Sequence, residues 1–514
     1  MKKVNLGAGA SRRQAFVWHI TGGWVSTSIL ILQAFFLIPL YLTFLGDRLY
    51  GFWLASGGLL AWVALVDPGA GAITKVRCAN AYARKNLKEV VHYFWHGSVI
   101  MGCVLALYSL VVFALADAFP RWFDADPALV VILGNCIRLA GIAGALSMAN
   151  NFLKDFSAAL QRTKVPAILQ VCSEVVSFST ILVCLVILKW GLWALPLGLL
   201  TRNLFAVVGN LVNSWILLRS LPPGQTWSRV IFNDYFRTTP SILAAKASSS
   251  FSSNLPNILL TKLLGPESAV AFTVTSRLAL VAQQFINNGL AGAYPAYGHL
   301  FGDAEVTEQR KIDLVSGFVR GFVFVGGCSV VGYTLLNKGF VGLWTSPEQF
   351  VGQWFVGLMA LATFMILRSR LLMGMIFSSG AMQSAGYVSS LENILQAALM
   401  VAGVSLIGVM GVPAALIVSG ILVQFLYQQI INRGTNRASQ GLLLLQWAWI
   451  PIAVVIGLVL PFSGFFVCST WAGQALAAIM VSFHLGLIVI FAVPIIRQRF
   501  FEVISKTLNF TLGK

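Results

Sequence analysis

From Val17 to Ile496 one pattern repeats along the chain: about 20 apolar residues, then a short polar break. The apolar runs fall at 20–45, 49–73, 91–116, 128–152, 165–188, 191–218, 240–264, 268–294, 314–336, 353–377, 391–409, 412–431, 443–461 and 474–496. Runs of this length read as membrane-crossing helices, because a helix satisfies its own backbone polar groups where there is no water. The pattern predicts an all-α, polytopic bundle of about 14 spans. The polar breaks are at most about 15–20 residues, too short for a soluble domain. The first run is too long for a signal-peptide core and lacks a cleavage site, so it is read as the first span.

The pattern also repeats on a larger scale. Phe44-Leu-Gly-Asp-Arg-Leu-Tyr-Gly-Phe-Trp leads to Asp67-Pro-Gly-Ala-Gly-Ala, and Leu264-Gly-Pro-Glu-Ser-Ala-Val-Ala-Phe-Thr leads to Asn287-Asn-Gly-Leu-Ala-Gly-Ala. The offset of 219–220 residues equals six spans, which predicts two parallel repeats about an axis normal to the membrane. The chain divides accordingly into an N-lobe (1–218), a basic linker (219–239) with the terminator Leu221-Pro-Pro-Gly, a C-lobe (240–432), and two appended spans with a tail (433–514). Two six-span halves are a transporter plan, with a binding site expected near the bilayer midplane.

Composition agrees with a membrane chain: 58% of residues are hydrophobic and only 10% charged, with a mean hydropathy of +0.81. The net charge of +18 invites a nucleic-acid reading, but its placement excludes one. With the N-terminus taken as cytoplasmic, 23 Lys and Arg fall on the inner side and four on the outer. This asymmetry places both termini in the cytoplasm. The seven cysteines show no paired spacing and read as small packing residues.

The other eight basic residues lie inside the apolar runs: Arg138, Arg202, Lys246, Lys262, Arg277, Arg320, Arg368 and Arg370. A charge at the centre of a spanning helix costs roughly 2.5–3.5 kcal/mol on insertion scales. Only Asp67, Glu174 and Glu392 lie similarly among the acids, so internal pairing leaves a cationic excess, which points to a polar cavity that takes an anion. Arg138, Arg202, Lys246, Arg277, Arg368 and Arg370 are the candidate substrate-binding residues, and Lys262 and Arg320 are close enough to span ends to snorkel. Arg368 and Arg370, two apart, point about 200° from each other on a helix. Asp67, Glu174 and Glu392 fit either charge pairing or ion coupling, by Na+ or H+, and Asp67 beside Pro68 also fits local capping. The span rich in Ser and Asn, Ser241 to Asn257, needs protein or water on its polar face and is expected to line the cavity. His92 and His96 share a helix face without a third ligand, so no metal site is expected. No Walker A motif or nucleophile–base pair occurs, so neither ATP hydrolysis nor an enzyme activity is expected, and no cofactor is implied.

The Tyr-Gly-Phe-Trp opening of span 2 and its Asp67-Pro-Gly end, together with Leu263-Leu-Gly-Pro-Glu-Ser-Ala-Val-Ala-Phe-Thr-Val-Thr-Ser-Arg-Leu and Tyr294-Pro-Ala, resemble the polysaccharide-transport branch of the MOP (multidrug/oligosaccharidyl-lipid/polysaccharide) exporter superfamily. The resemblance covers most of the chain, and its nearest group is the Wzx-type O-antigen and exopolysaccharide flippases. The chain departs from that pattern in Ala-Phe-Thr after Val270, where a Tyr is frequent. The resemblance implies a two-lobed, V-shaped fold. It also implies alternating-access export of a polyprenyl-diphosphate-linked oligosaccharide across a bacterial inner membrane, beside a polymerase and chain-length machinery. The planar fork of arginine suits such a diphosphate. The rivals are a cation-coupled multidrug exporter, which would favour an acidic cavity, the lipid II flippase, and a polysaccharide polymerase or ligase, which would need a large outer loop.

Overall fold

The computed structural model describes residues 12–67, 69–222, 228–302, 307–378, 382–434, 445 and 447–492. Among the described residues the regular elements are helical. They are α1 (Arg12–Val63), α2 (Ala70–Ala83), α3 (Leu87–Leu115), α4 (Ala118–Trp122), α5 (Pro127–Ala159), α6 (Lys164–Leu182), α7 (Ala194–Arg219) and α8 (Arg229–Leu264), then α9 (Pro266–Thr275), α10 (Arg277–Gly302), α11 (Glu308–Trp344), α12 (Gln353–Ser378), α13 (Met382–Ile407), α14 (Gly411–Gly434), α15 (Trp449–Val459) and α16 (Trp471–Ala492). Among the described residues the expected runs fall on these helices, with 49–73 passing from α1 into α2 and 268–294 divided between α9 and α10.

Ten described stretches are long and apolar enough to cross a membrane. Two of them, Val25–Val66 and Gly386–Tyr427, are 42 residues long, enough for two crossings each at about 20 residues per crossing. The first is interrupted at Gly46, whose φ of 75° only glycine adopts cheaply. Gly265, between α8 and α9, has a φ of 95°, so both copies of the repeated Leu-Gly make the same turn. The pair α9–α10 is a further apolar crossing, bent by 51°. Large apolar side chains such as Leu110, Val131, Leu406 and Phe465 stay exposed, the surface expected where lipid is the solvent.

The chain forms two compact units, Met1–Ala269 and Val270–Lys514. The packing boundary lies one helix beyond the basic linker, because α8 packs on α1, α2 and α3. Trp62 stacks on Phe251 at 4.4 Å, and Gly58 leaves room for Ile258. Tyr235 of α8 donates to the Tyr93 carbonyl at 2.9 Å and meets the Thr74 hydroxyl at 2.8 Å. These bonds satisfy polar groups inside a core of Val90, Phe94, Phe152 and Phe156. In the second unit α12 packs against α10, α11, α13, α14 and α15 and is the most enclosed span. Gly403 and Gly411 let α13 and α14 approach backbone to backbone, where a Cβ on Gly411 would collide with the Gly403 carbonyl.

Candidate functional site

The first unit contains a cavity of about 860 Å³ walled by α1, α2, α3, α5 and α7. Its polar groups are Asp67, Asn151, Lys154, Asp155, Arg202 and Asn203, set among Gly and Ala that keep the wall thin. Arg202, on α7, is ion-paired with Glu174 of α6, the arginine 29% exposed and the glutamate 1%. The carboxylate therefore lies behind the arginine, and the guanidinium is the face presented to the cavity. Glu174 Oε1 takes the arginine, while Oε2 has no hydrogen-bond partner. Gln33 of α1 donates to the Glu174 carbonyl at 2.7 Å, tying that turn of α6 to α1.

A second chain of polar groups runs beside the pair. Lys154 Nζ donates to Gln170 Oε1 at 2.6 Å, and Gln170 Nε2 donates to Ser26 Oγ at 2.9 Å. Asp155 is ion-paired with Lys75 at 3.2 Å. Asn203 donates to the Ala143 carbonyl at 2.9 Å, which fixes its amide and sets the α5–α7 register. Asp67 Oδ1 accepts from Gly69 N at 3.0 Å and Ala70 N at 3.2 Å, so it caps the start of α2 as well as lining the cavity. The wall thus holds cations balanced by acids and amides.

Of the candidate residues, the first unit brings Arg202, Glu174 and Asp67 to this cavity and its wall, and takes Arg138 elsewhere. Arg138 pairs with Asp117 at 2.6 Å and bonds Asn135 at 2.8 Å, in the first half of α5. The carboxylate comes from the α3–α4 connection, which a count of acids inside the spans overlooks. Lys246 lies on α8 with its side chain outside the described residues. Lys262 reaches Asp124 at 2.5 Å, a pair whose aspartate is 79% exposed. An exposed pair of this kind contributes about 0–1 kcal/mol. Lys262→Ala should accordingly leave both protein level and activity close to wild type, as read by immunoblot and complementation.

In the second unit Arg368 is 0% exposed on α12. Its guanidinium donates to Gln424 Oε1 at 2.8 Å and to the Gly420 carbonyl at 2.6 Å, both on α14. Glu392 of α13 accepts from Ser369 Oγ at 2.7 Å and Tyr427 OH at 2.8 Å. Arg370 is exposed on another face of α12, as two positions of helix rotation require. Arg277 opens α10 just after the bend. That bend is held by Thr275, whose carbonyl accepts from Tyr333 OH and Asn337 Nδ2, each at 3.0 Å. Arg320 is exposed on α11.

The sequence reading missed Lys154 and Asp155, assigning Lys154 to a loop beyond residue 152. The structure continues α5 to Ala159. The signal was present: Ser147, Asn151 and Asp155 recur every four residues, one helical face extending the apolar run. His96 ties two segments together. Ser228 N donates to His96 Nε2 at 3.0 Å, so the ring proton is on Nδ1, which bonds the His92 carbonyl at 2.7 Å. No cluster of metal-ligating side chains occurs among the described residues.

The described helices make this a multi-pass membrane chain, and its fold is similar to that of solved membrane transporters. Similar solved structures include an inward-facing multidrug resistance MATE family transporter of the MOP superfamily, at 14% identity over 84% of this chain and 98% of that one, with a TM-score of 0.59. A MATE transporter from Vibrio cholerae is similar at 16% identity over 83% and 99%, with a TM-score of 0.61. Residues 83–317 match a family described as polysaccharide biosynthesis protein. No curated protein matches the chain in sequence. The chain thus has a fold similar to that of these transporters, and a part of it matches a polysaccharide biosynthesis family, in keeping with the resemblance noted in the sequence.

Proposed function

We propose that the chain is a flippase that moves a polyprenyl-diphosphate-linked oligosaccharide, an O-antigen or exopolysaccharide repeat unit, from the cytoplasmic to the periplasmic leaflet of a bacterial inner membrane by alternating access. The observation that carries this reading is Arg202, a guanidinium turned into an 860 Å³ cavity with its carboxylate partner buried behind it. A headgroup-sized space faced by an arginine fork, with Lys154 on the same wall, suits phosphate oxygens. The polysaccharide family match over residues 83–317 supports a sugar-bearing substrate. A cationic drug would meet that wall unfavourably, since Glu174 and Asp155 already hold Arg202 and Lys75 and Asp67 already caps α2. The product reaches the periplasmic leaflet as the substrate of a polymerase, so that enzyme and its chain-length machinery are the partners this reading implies.

The test is complementation of surface polysaccharide in a strain lacking its own flippase, with the lipid-linked unit accumulating in the inner leaflet when the chain is absent. Restored multidrug efflux without restored polysaccharide would overturn the reading. The orientation has its own expected result. In intact cells a maleimide that cannot cross the membrane should label single cysteines placed between Asp117 and Asp126, but not at Lys85. The native Cys78, on α2, does not compete: its thiol is buried and pushed up to about 12 by that burial and by Glu89. Labelling at Lys85 would reverse the topology.

A further inference from the structure

The fold treats the charged and the neutral polar groups of the first unit's cavity differently. Each charged group on the wall already has a partner: Arg202 has Glu174, Lys154 has Gln170, Asp155 has Lys75, and Asp67 caps α2. Trp53, Tyr108, Ser147 and Asn151 line the same cavity and have no hydrogen-bond partner among the described residues. Tyr108 of α3 is the anomaly among them, because it is only 2% exposed. Its ring sits in an apolar cluster with Val112, Ala116 and Ile137. A buried tyrosine hydroxyl ordinarily finds a partner inside the protein. This one lies over Gly144 of α5, where a Cβ would come within 2.3 Å of it, so the glycine makes room for the hydroxyl at the cavity wall.

Along α5 the cavity face changes character. Ala140, Gly144, Ser147, Asn151 and Lys154 line the cavity and recur every three or four positions, which is one face of a helix. At 1.5 Å per residue that strip is about 21 Å long, more than two phosphates cover. Its Lys154 end is charged: Asp155 follows, and α2 meets it there, with Gly71 against the Asp155 carboxylate. From Asn151 back to Ala140 the lining residues of α5 carry no charge. Asn203 bonds the Ala143 carbonyl, which sets the neighbouring Arg202 beside this uncharged stretch. On α1 the wall offers the indole of Trp53 and then only small or apolar residues as far as Ala64.

We infer that this uncharged stretch is a subsite for a neutral sugar, and that Tyr108 is its specificity-determining residue. This rests on the phosphate reading of Arg202. With the diphosphate on Arg202, the sugar joined to it lies along Gly144, Ser147 and Asn151. A pyranose has a rim of hydroxyls, each able to donate and to accept, and faces made of C–H groups. The rim meets Tyr108, Ser147 and Asn151, and a C–H face turns to Trp53, whose ring face is electron-rich. A sugar carboxylate in the same place adds a negative charge with no cation of its own, since the phosphates hold Arg202. The subsite therefore selects neutral sugars over acidic ones. A ligand without the matching hydroxyl leaves that of Tyr108 unpaired, which is how a polar site discriminates.

The experiment measures, by calorimetry on the purified full-length protein in detergent, the affinity for farnesyl diphosphate. It then measures the same lipid diphosphate carrying glucose, galactose, N-acetylglucosamine or glucuronic acid. In the wild type at least one neutral sugar should tighten binding about tenfold over the sugar-free probe, the worth of one or two hydrogen bonds. Glucuronic acid should add nothing. Tyr108→Phe, which keeps the ring and its packing, should remove about threefold to tenfold of the gain from the neutral sugar. It should leave the sugar-free probe bound as in wild type, a split between probes that a merely structural tyrosine does not produce. Asn151→Ala, at an exposed position, should cut the same gain and serves if the phenylalanine variant is not recovered. No gain from any neutral sugar in the wild type, an equal gain from glucuronic acid, or a gain that survives both variants overturns the inference. So does a Tyr108→Phe protein that weakens every probe alike. In each of these cases binding of farnesyl diphosphate leaves the flippase reading intact. No binding of any probe would remove the flippase reading, and this inference with it.

Discussion

Arg202→Ala should abolish surface-polysaccharide complementation, with a loss of at least two orders of magnitude in polymer. Two effects contribute, and they can be separated. The substitution removes the guanidinium that faces the cavity and also strands Glu174, which is fully buried. Breaking a buried pair from one side costs about 3–5 kcal/mol, whereas removing both partners costs far less. The double variant Arg202→Ala, Glu174→Gln should therefore restore the protein to wild-type levels while remaining inactive. Arg202→Lys should recover part of the activity, because an ammonium keeps the charge and loses the bidentate fork. Polymer yield and membrane protein level, measured on the same cultures, check all three. Full activity in the double variant would show that Arg202 only neutralises Glu174.

The second large effect is one of stability. Arg368→Ala should deplete folded protein, and Arg370→Ala, two residues on, should not. Arg368 is 0% exposed and donates to Gln424 and the Gly420 carbonyl at 2.8 and 2.6 Å. Its removal leaves Gln424 Oε1 without this donor, takes the second bond from the Gly420 carbonyl, and takes a positive charge from beside the buried Glu392. Lost charge-assisted bonds at about 1.5–3 kcal/mol each sum to a large part of a domain's stability. Thermal unfolding followed by size-exclusion chromatography in detergent should show the Arg368 variant aggregating well below wild type, with Arg370→Ala within a few degrees of it. An Arg368→Ala protein that is stable yet inactive would move that residue from the scaffold to the substrate site.

Much of this architecture was legible in the chain. Fourteen apolar runs, each about the thickness of a bilayer, predict helices without reference to any neighbour, because each helix bonds its own backbone. The turn at Leu45-Gly46 was legible too, through its echo at Leu264-Gly265, and both glycines take the positive φ that favours their residue type. The end of α5 was less so. Its last turns, with Lys154 and Asp155, fall beyond the apolar run and look like a loop to a hydropathy reading, and they form a cavity wall once α5 packs against α7.

The sequence by itself determined that charges lie at membrane depth and which residues carry them. Only the tertiary structure decided what each charge meets. Arg138 and Lys262 find Asp117 and Asp124, acids from the polar connections, at 2.6 and 2.5 Å. Arg368 finds neutral oxygens on α14, and Arg202 finds Glu174 at the wall of a cavity. Four basic residues alike in type and in apolar surroundings along the chain thus have three different fates. Insertion into a bilayer is governed by the local sum of side-chain transfer energies, which adjacent residues supply. The partner of a buried charge is set within a few ångströms by helix rotation and packing, and the residues that supply it stand up to 138 positions away along the chain.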